Sequence, residues 1–155
     1  MARKQPTADQ ALRLDNQICF AIYSAAHAFN RVYKPLLDRL ALTYPQYLAM
    51  LVLWEHDNVP VKEIGERLFL DSGTLTPLLK RLEAAGLIKR TRSTQDERKV
   101  LIALTPQGQA LKDRARPVPL SILAASQCSV SGRSGVKSEI VALRDRLNAA
   151  AEGAG

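Results

Sequence analysis

Three groups of side chains in this sequence have the types and spacing to do chemistry. The first is Ser72, Thr74, Thr76, Pro77, Lys80 and Arg81, which recur at helical steps opposite Leu75, Leu78, Leu79 and Leu82. Short hydroxyls near a helix N-terminus reach base edges and phosphates, and an arginine pairs with guanine O6 and N7. The second is the stretch from Lys80 to Lys99, where seven basic residues (Lys80, Arg81, Lys89, Arg90, Arg92, Arg98, Lys99) face three acidic ones (Glu83, Asp96, Glu97). The third is a pair of cysteines, Cys19 and Cys128, with Tyr23 one helical turn after Cys19. A lone cysteine among apolar neighbours is ordinarily a small core residue. A thiolate that meets a peroxide instead becomes a sulfenic acid, which a second thiol captures as a disulfide.

Other chemistries find no residues. Two histidines, His27 and His56, are too few for a metal-ligand set. The sequence has no phosphate-binding glycine loop and no Cys-x-x-Cys, so neither a metal nor a cofactor is expected. Apolar residues make up 46% of the 155, enough for a core, and the formal net charge of +7 suits a polyanionic partner. No stretch approaches the roughly 20 apolar residues of a membrane span, and no apolar run follows the basic start Met1 to Gln5. A cytoplasmic location is expected, with both thiols reduced at rest and any disulfide between them transient.

The elements that must position these groups are legible from periodicity and caps. Val61, Ile64 and Leu68 mark a short helix, and Phe69-Leu70-Asp71 a turn. A second helix runs from Ser72 to Ala85 and is ended by Gly86. Two strands, Leu87–Arg92 and Lys99–Leu104, flank a polar tip at residues 93–98. Helix, turn, helix and a hairpin with a charged tip make a winged helix for duplex DNA. Arg98 at the tip can enter a minor groove, with Asp96 two residues away to aim it.

Residues 3–9 read as a frayed tail, followed by a helical period from Ala11 through Leu40 that Pro35 should kink or split. Thr43 and Gln46 form a capping box before a helix to Glu55, and Thr105-Pro106 starts another that Pro117 and Pro119 must break. Residues 126–135 read as an exposed, mobile Ser/Gly loop carrying Cys128, and Val136 to about Ala150 as a last helix. The expected fold is mostly α with a small β-hairpin wing. Its parts are an N-terminal dimerisation helix (1–45), a winged helix-turn-helix (46–105) and C-terminal dimerisation helices with the Cys128 loop (106–155).

The run from Asp71 to Glu83, Asp-Ser-Gly-Thr-Leu-Thr-Pro-Leu-Leu-Lys-Arg-Leu-Glu, and Asp96-Glu97-Arg98-Lys99-Val100 resemble the MarR family of winged-helix regulators. The Asp-Ser-Gly-Thr-Leu-Thr-Pro portion is similar to the organic hydroperoxide resistance regulators, the OhrR subgroup. The likeness spans about Leu14 to Leu147. It implies a homodimer on a duplex DNA operator, with Ser72, Thr74, Thr76, Pro77, Lys80, Arg81, Arg92, Asp96 and Arg98 at the DNA. It also implies that Cys19 senses an organic hydroperoxide as inducer, assisted by Tyr23, Tyr33 and Tyr44, whose hydroxyls donate to the thiolate.

Fourteen residues separate Cys19 from Tyr33, about 21 Å along a straight helix. Tyr33 and Tyr44 are therefore expected to serve Cys19 of the opposite subunit. Phe20, Ile22 and Met50 are candidate walls of an apolar peroxide pocket. The two-cysteine OhrR class further implies that Cys128 resolves oxidised Cys19 across the dimer. Two other readings remain open: a MarR-type sensor of a small aromatic or anionic ligand with incidental cysteines, and a thiol peroxidase, in which a winged helix has no purpose.

Overall fold

The computed structural model describes residues 7–154. The chain divides into two compact units, Met1–Val118 and Pro119–Gly155. In the first, Thr7 caps a single turn, α1 (Ala8–Ala11), through a reciprocal bond with Gln10. A 3₁₀ turn at Leu14–Asn16 leads to α2 (Ile18–Asp38). The expected helix from Ala11 is thus shortened, because Gln17 turns extended and its side chain binds the carbonyls of Ala11 and Arg13. The tail expected at residues 3–9 lies outside the described residues up to position 6, and from Thr7 it is replaced by α1. Pro35 does not split α2, which runs three residues past it; the proline only withdraws a donor from the Arg31 carbonyl.

The DNA-reading lobe is assembled from α3 (Tyr44–Glu55), α4 (Val61–Leu68), α5 (Ser72–Ala84) and three strands. The Thr43–Gln46 capping box starts α3. A left-handed Phe69 ends α4, with Leu70 N–H donating to the Gly65 carbonyl at 3.0 Å. Single non-glycine residues in this conformation cost about 1–2 kcal/mol. Gly65 lets the helices close up, since a Cβ there would meet the Leu70 carbonyl oxygen at 3.0 Å. Asp71 then caps α5 by accepting from Thr74 N–H at 2.7 Å. Gly86, at φ 75°, ends α5 with the Gly86 and Leu87 N–H groups donating back to Glu83 and Leu82.

The strands are β1 (Val59–Pro60), β2 (Ile88–Arg92) and β3 (Val100–Leu104), antiparallel in the order β1-β3-β2. The expected hairpin is therefore part of a three-stranded sheet, because Val59 pairs with Ile102 on the far side of β3. Leu75, Leu78, Leu79 and Leu82 of α5 are buried with Ile64, Leu53, Ile88 and Ile102. Each such side chain contributes roughly 1.5–3 kcal/mol. That apolar face holds the opposite, polar face of α5 outward.

Thr105 caps α6 (Pro106–Ala115) by accepting from Gly108 N–H, and its hydroxyl donates to the Gly86 carbonyl at 2.6 Å. Trp54 Nε1 donates to the Gly108 carbonyl at 3.0 Å. α6 ends before Pro117, where α7 (Pro117–Ser126) begins. In the second unit, α8 (Val130–Glu152) starts six residues earlier than the expected Val136. The mobile loop expected at residues 126–135 contracts to Gln127-Cys128-Ser129. Ser129 caps α8 by accepting from Gly132 N–H at 3.0 Å, and Gln127 takes a left-handed conformation, φ 51°, that turns the chain. Among the described residues, no helix is long and apolar enough to cross a membrane, and no three His, Cys, Asp or Glu side chains gather to hold a metal.

Candidate nucleic-acid interface and thiol-reactive helix

Ser72, Thr74, Thr76, Pro77, Lys80 and Arg81 are all exposed on α5, opposite its buried leucines. Pro77 removes a donor from the Gly73 carbonyl in the first turns of the helix, on the solvent side where water can take its place. Asp71 satisfies one of the first N–H groups, and the remaining positive end of the helix is open to an anion.

The wing beyond Arg92 is ordered by its own backbone. Ser93 N–H donates to the Lys99 carbonyl at 2.8 Å, and Lys99 N–H to the Asp96 carbonyl at 2.9 Å. The Ser93 hydroxyl accepts from Gln95 and Asp96 N–H. Asp96 Oδ1 accepts from Arg98 N–H at 3.1 Å, whereas the Arg98 Nε stands 3.9 Å away and its side chain is 96% exposed. Asp96 therefore shapes the turn that presents Arg98 more than it grips the guanidinium.

Arg90 departs from the simple count of cations. Strand alternation places it on the face of Ile88 and opposite Ile102, toward the helices. There Glu83, in the last turn of α5, receives Arg90 Nε at 2.9 Å, Nη2 at 3.2 Å and the Arg90 backbone N–H at 3.1 Å. The hydrogen bonds from Arg90 hold the Glu83 carboxyl below its usual range. A strand arginine at a period-2 step from a buried isoleucine was the sequence signal for this tie.

Cys19 is exposed, one residue into α2, as are Ile18, Phe20 and Ile22. It is not a core residue of this unit. Tyr23 is 62% exposed and its ring lies 4.4 Å from that of His27. Tyr33 and Tyr44 come together from α2 and α3, with ring centroids 4.7 Å apart. Tyr47, one turn into α3, lies under both at 5.9 and 6.4 Å and is 2% exposed. Burial, with Tyr44 and Tyr47 alongside, pushes the Tyr33 hydroxyl up to about 12, and burial also raises Tyr44 and Tyr47. All three are thus firmly protonated donors at neutral pH. Within one chain, the Tyr33–Tyr44 pair stays about 21 Å along the helix from Cys19. Met50 is not a pocket wall: it is fully buried in the core of this lobe. Cys128 is exposed in the second unit, in the three-residue link before α8.

Residues 31–115 match the family described as transcriptional regulator SarA/Rot. Over 137 residues the chain is 50% identical to the organic hydroperoxide resistance transcriptional regulator of Bacillus subtilis strain 168, covering 88% of this chain and 93% of that protein. Reduced AbfR bound to DNA superposes with a TM-score of 0.77 at 34% identity, covering 92% of this chain and 97% of AbfR, a Staphylococcus epidermidis protein. AbfR with its disulfide formed superposes at 0.60 and 35% identity, over 87% and 95% of the two chains. With its winged helix, its Asp96–Arg98 wing and 50% identity to such a relative over 137 residues, the chain belongs to the MarR family of winged-helix transcriptional regulators, in the organic hydroperoxide resistance group.

Proposed function

We propose that this protein is a peroxide-sensing repressor whose reduced homodimer binds an inverted-repeat operator and lets go when Cys19 is oxidised. The observation that carries the reading is the separation of an exposed Cys19, at the start of α2, from the Tyr33–Tyr44 pair formed where the far part of α2 meets α3. One copy's Tyr33 and Tyr44 cannot reach its own thiol, but two α2 helices crossing in a dimer bring each thiol to the other's pair. Ile18, Ile22, Phe29 and Val32 leave an apolar stripe on α2 for that contact, as Val136, Ile140 and Leu147 do on α8. The three parts expected at 1–45, 46–105 and 106–155 then act as dimer helix, DNA reader and dimer helices.

The Cys19 thiolate attacks the terminal oxygen of an organic hydroperoxide. The O–O bond breaks, the alkoxide leaves and takes a proton as the alcohol, and the sulfur, oxidised by two electrons, becomes sulfenic acid. The Cys128 thiol of the other subunit then displaces water and forms the disulfide. Tyr23, Tyr33 and Tyr44 donate hydrogen bonds to the sulfur before oxidation. On DNA, the exposed face of α5 enters the major groove and Arg92 and Arg98 follow the backbone and minor groove, with half-sites about 34 Å apart. The names of the relatives, an organic hydroperoxide resistance regulator and a regulator solved both reduced on DNA and as a disulfide, support this reading.

The test is fluorescence anisotropy of an operator duplex during titration with cumene hydroperoxide. Parent protein should release the duplex and Cys19→Ser should bind equally well and stay bound. Normal release by Cys19→Ser removes the redox reading and favours a non-covalent effector.

A further inference from the structure

We propose that Glu83 is a specificity-determining residue of the DNA interface, acting as an internal stand-in for phosphate that keeps Arg90 off the DNA backbone. The inference rests on the winged helix binding DNA as proposed above. Arg90 lines a groove of about 690 Å³ between the start of α4, the exposed side of α5 and the wing, where Thr76, Arg98 and Lys99 stand with Glu63 and the Lys62–Glu66 ion pair. A duplex lying across Thr76 and Arg98 therefore passes within reach of the Arg90 side chain. Left alone, that guanidinium would bind the nearest phosphate, a contact that strengthens binding to every sequence equally.

Glu83 prevents this by geometry. Its two oxygens take Nε and Nη2 of the guanidinium in a fork, and one of them also takes the backbone N–H of the same residue. The paired, charge-assisted arrangement is the strong form of such a bond. A phosphate competing for Arg90 must break the fork and leave Glu83 as an uncompensated negative charge. Of the seven cations from Lys80 to Lys99, six then remain for the duplex. Those on α5 read bases, and Arg98 is held out by the Asp96 turn. The fork also joins the last turn of α5 to the middle of β2, so helix and wing meet the duplex in one orientation.

The experiment measures binding of the full chain to a short random-sequence duplex and to a duplex selected from a random pool by the parent, across a salt series. Glu83→Gln frees Arg90. Its affinity for random DNA should rise several-fold, and its plot of log K against log salt should steepen by about 0.9 for each subunit engaged. Its preference for the selected duplex should fall. Glu83→Asp, which keeps the charge, should hold the parental slope. Glu83→Gln/Arg90→Gln restores a neutral pair and should also return to the parental slope.

An unchanged or shallower slope in Glu83→Gln overturns the proposal. So does a double variant whose slope drops by about 0.9 per subunit, since Arg90 would then already be a phosphate contact in the parent. The double variant decides the matter even where Glu83→Gln folds poorly. Failure of the parent to bind either duplex would instead overturn the DNA-binding reading itself.

Discussion

Gly108→Ala adds one methyl group at the joint between α6 and the wing, and the structure says what it meets. The new Cβ would lie 2.0 Å from the Leu87 carbonyl oxygen, 3.0 Å from its carbon and 3.3 Å from Leu104 Cδ2. Relief to a tolerable 3.0 Å needs at least 1.0 Å of backbone movement, the difference of those distances. Neither side yields freely: the Leu87 carbonyl accepts from Thr105 N–H at 3.1 Å, and Gly108 is held by the Thr105 hydroxyl and by Trp54. Overpacking of this kind costs about 1–3 kcal/mol, and losing the Trp54 bond about 1 more. Better helix propensity returns at most about 1 kcal/mol. The net loss of about 1–3 kcal/mol should lower the melting temperature by roughly 2–12 °C.

Circular dichroism gives the melt, and Trp54, the single tryptophan, reports the joint itself through its emission. Gly135→Ala is the control: it is a helical glycine of α8 with nothing within 4 Å of the new Cβ, so the same change should stabilise by up to about 1 kcal/mol. A Gly108→Ala protein with parental melting temperature and parental emission would refute the seating of α6 on Leu87.

The other expectations follow from single contacts. Asp71→Ala should cost about 0.5–2 kcal/mol in chemical denaturation and Asp71→Ser much less, because only the first removes the cap of α5. Arg81→Ala should weaken a selected duplex more than random DNA, while Arg98→Ala should lower affinity and tolerance of G·C pairs under the wing, both read by anisotropy. Tyr33 holds its proton to about 12 in the folded state and to about 10 when unfolded. Its contribution to stability is therefore complete below pH about 10 and is lost as pH rises toward about 12. Melting temperature measured across that window should fall less steeply in Tyr33→Phe than in the parent.

The winged helix was legible because its signals are local and agree with one another. Asp71 and Gly86 bracket α5, its leucines keep a helical period, and Thr43 and Thr105 announce α3 and α6. The start of α8 was not legible, since Ser-Gly composition argues for a loop and only the Ser129 cap overrides it. Periodicity also ran straight through Gln17, whose side chain folds back on the preceding turn. The third strand is two residues long, below the reach of any pattern. At the interface, exposed positions were readable from helix geometry, but the Glu83–Arg90 fork depends on how β2 returns past α5. The place of Tyr47 beneath Tyr33 and Tyr44 emerges only when α2 and α3 pack.

If Cys128 of one subunit captures oxidised Cys19 of the other, as we propose, formation of that bond should accompany release of DNA. The most direct measurement takes the fraction released from operator by stoichiometric organic hydroperoxide and runs it on a non-reducing gel, with peptide mass mapping of the product. A covalent dimer containing a Cys19–Cys128 crosslink is expected, reversed by dithiothreitol and absent from Cys128→Ser, in which Cys19 should proceed to irreversible over-oxidation. Released protein that runs wholly as a monomer would contradict it.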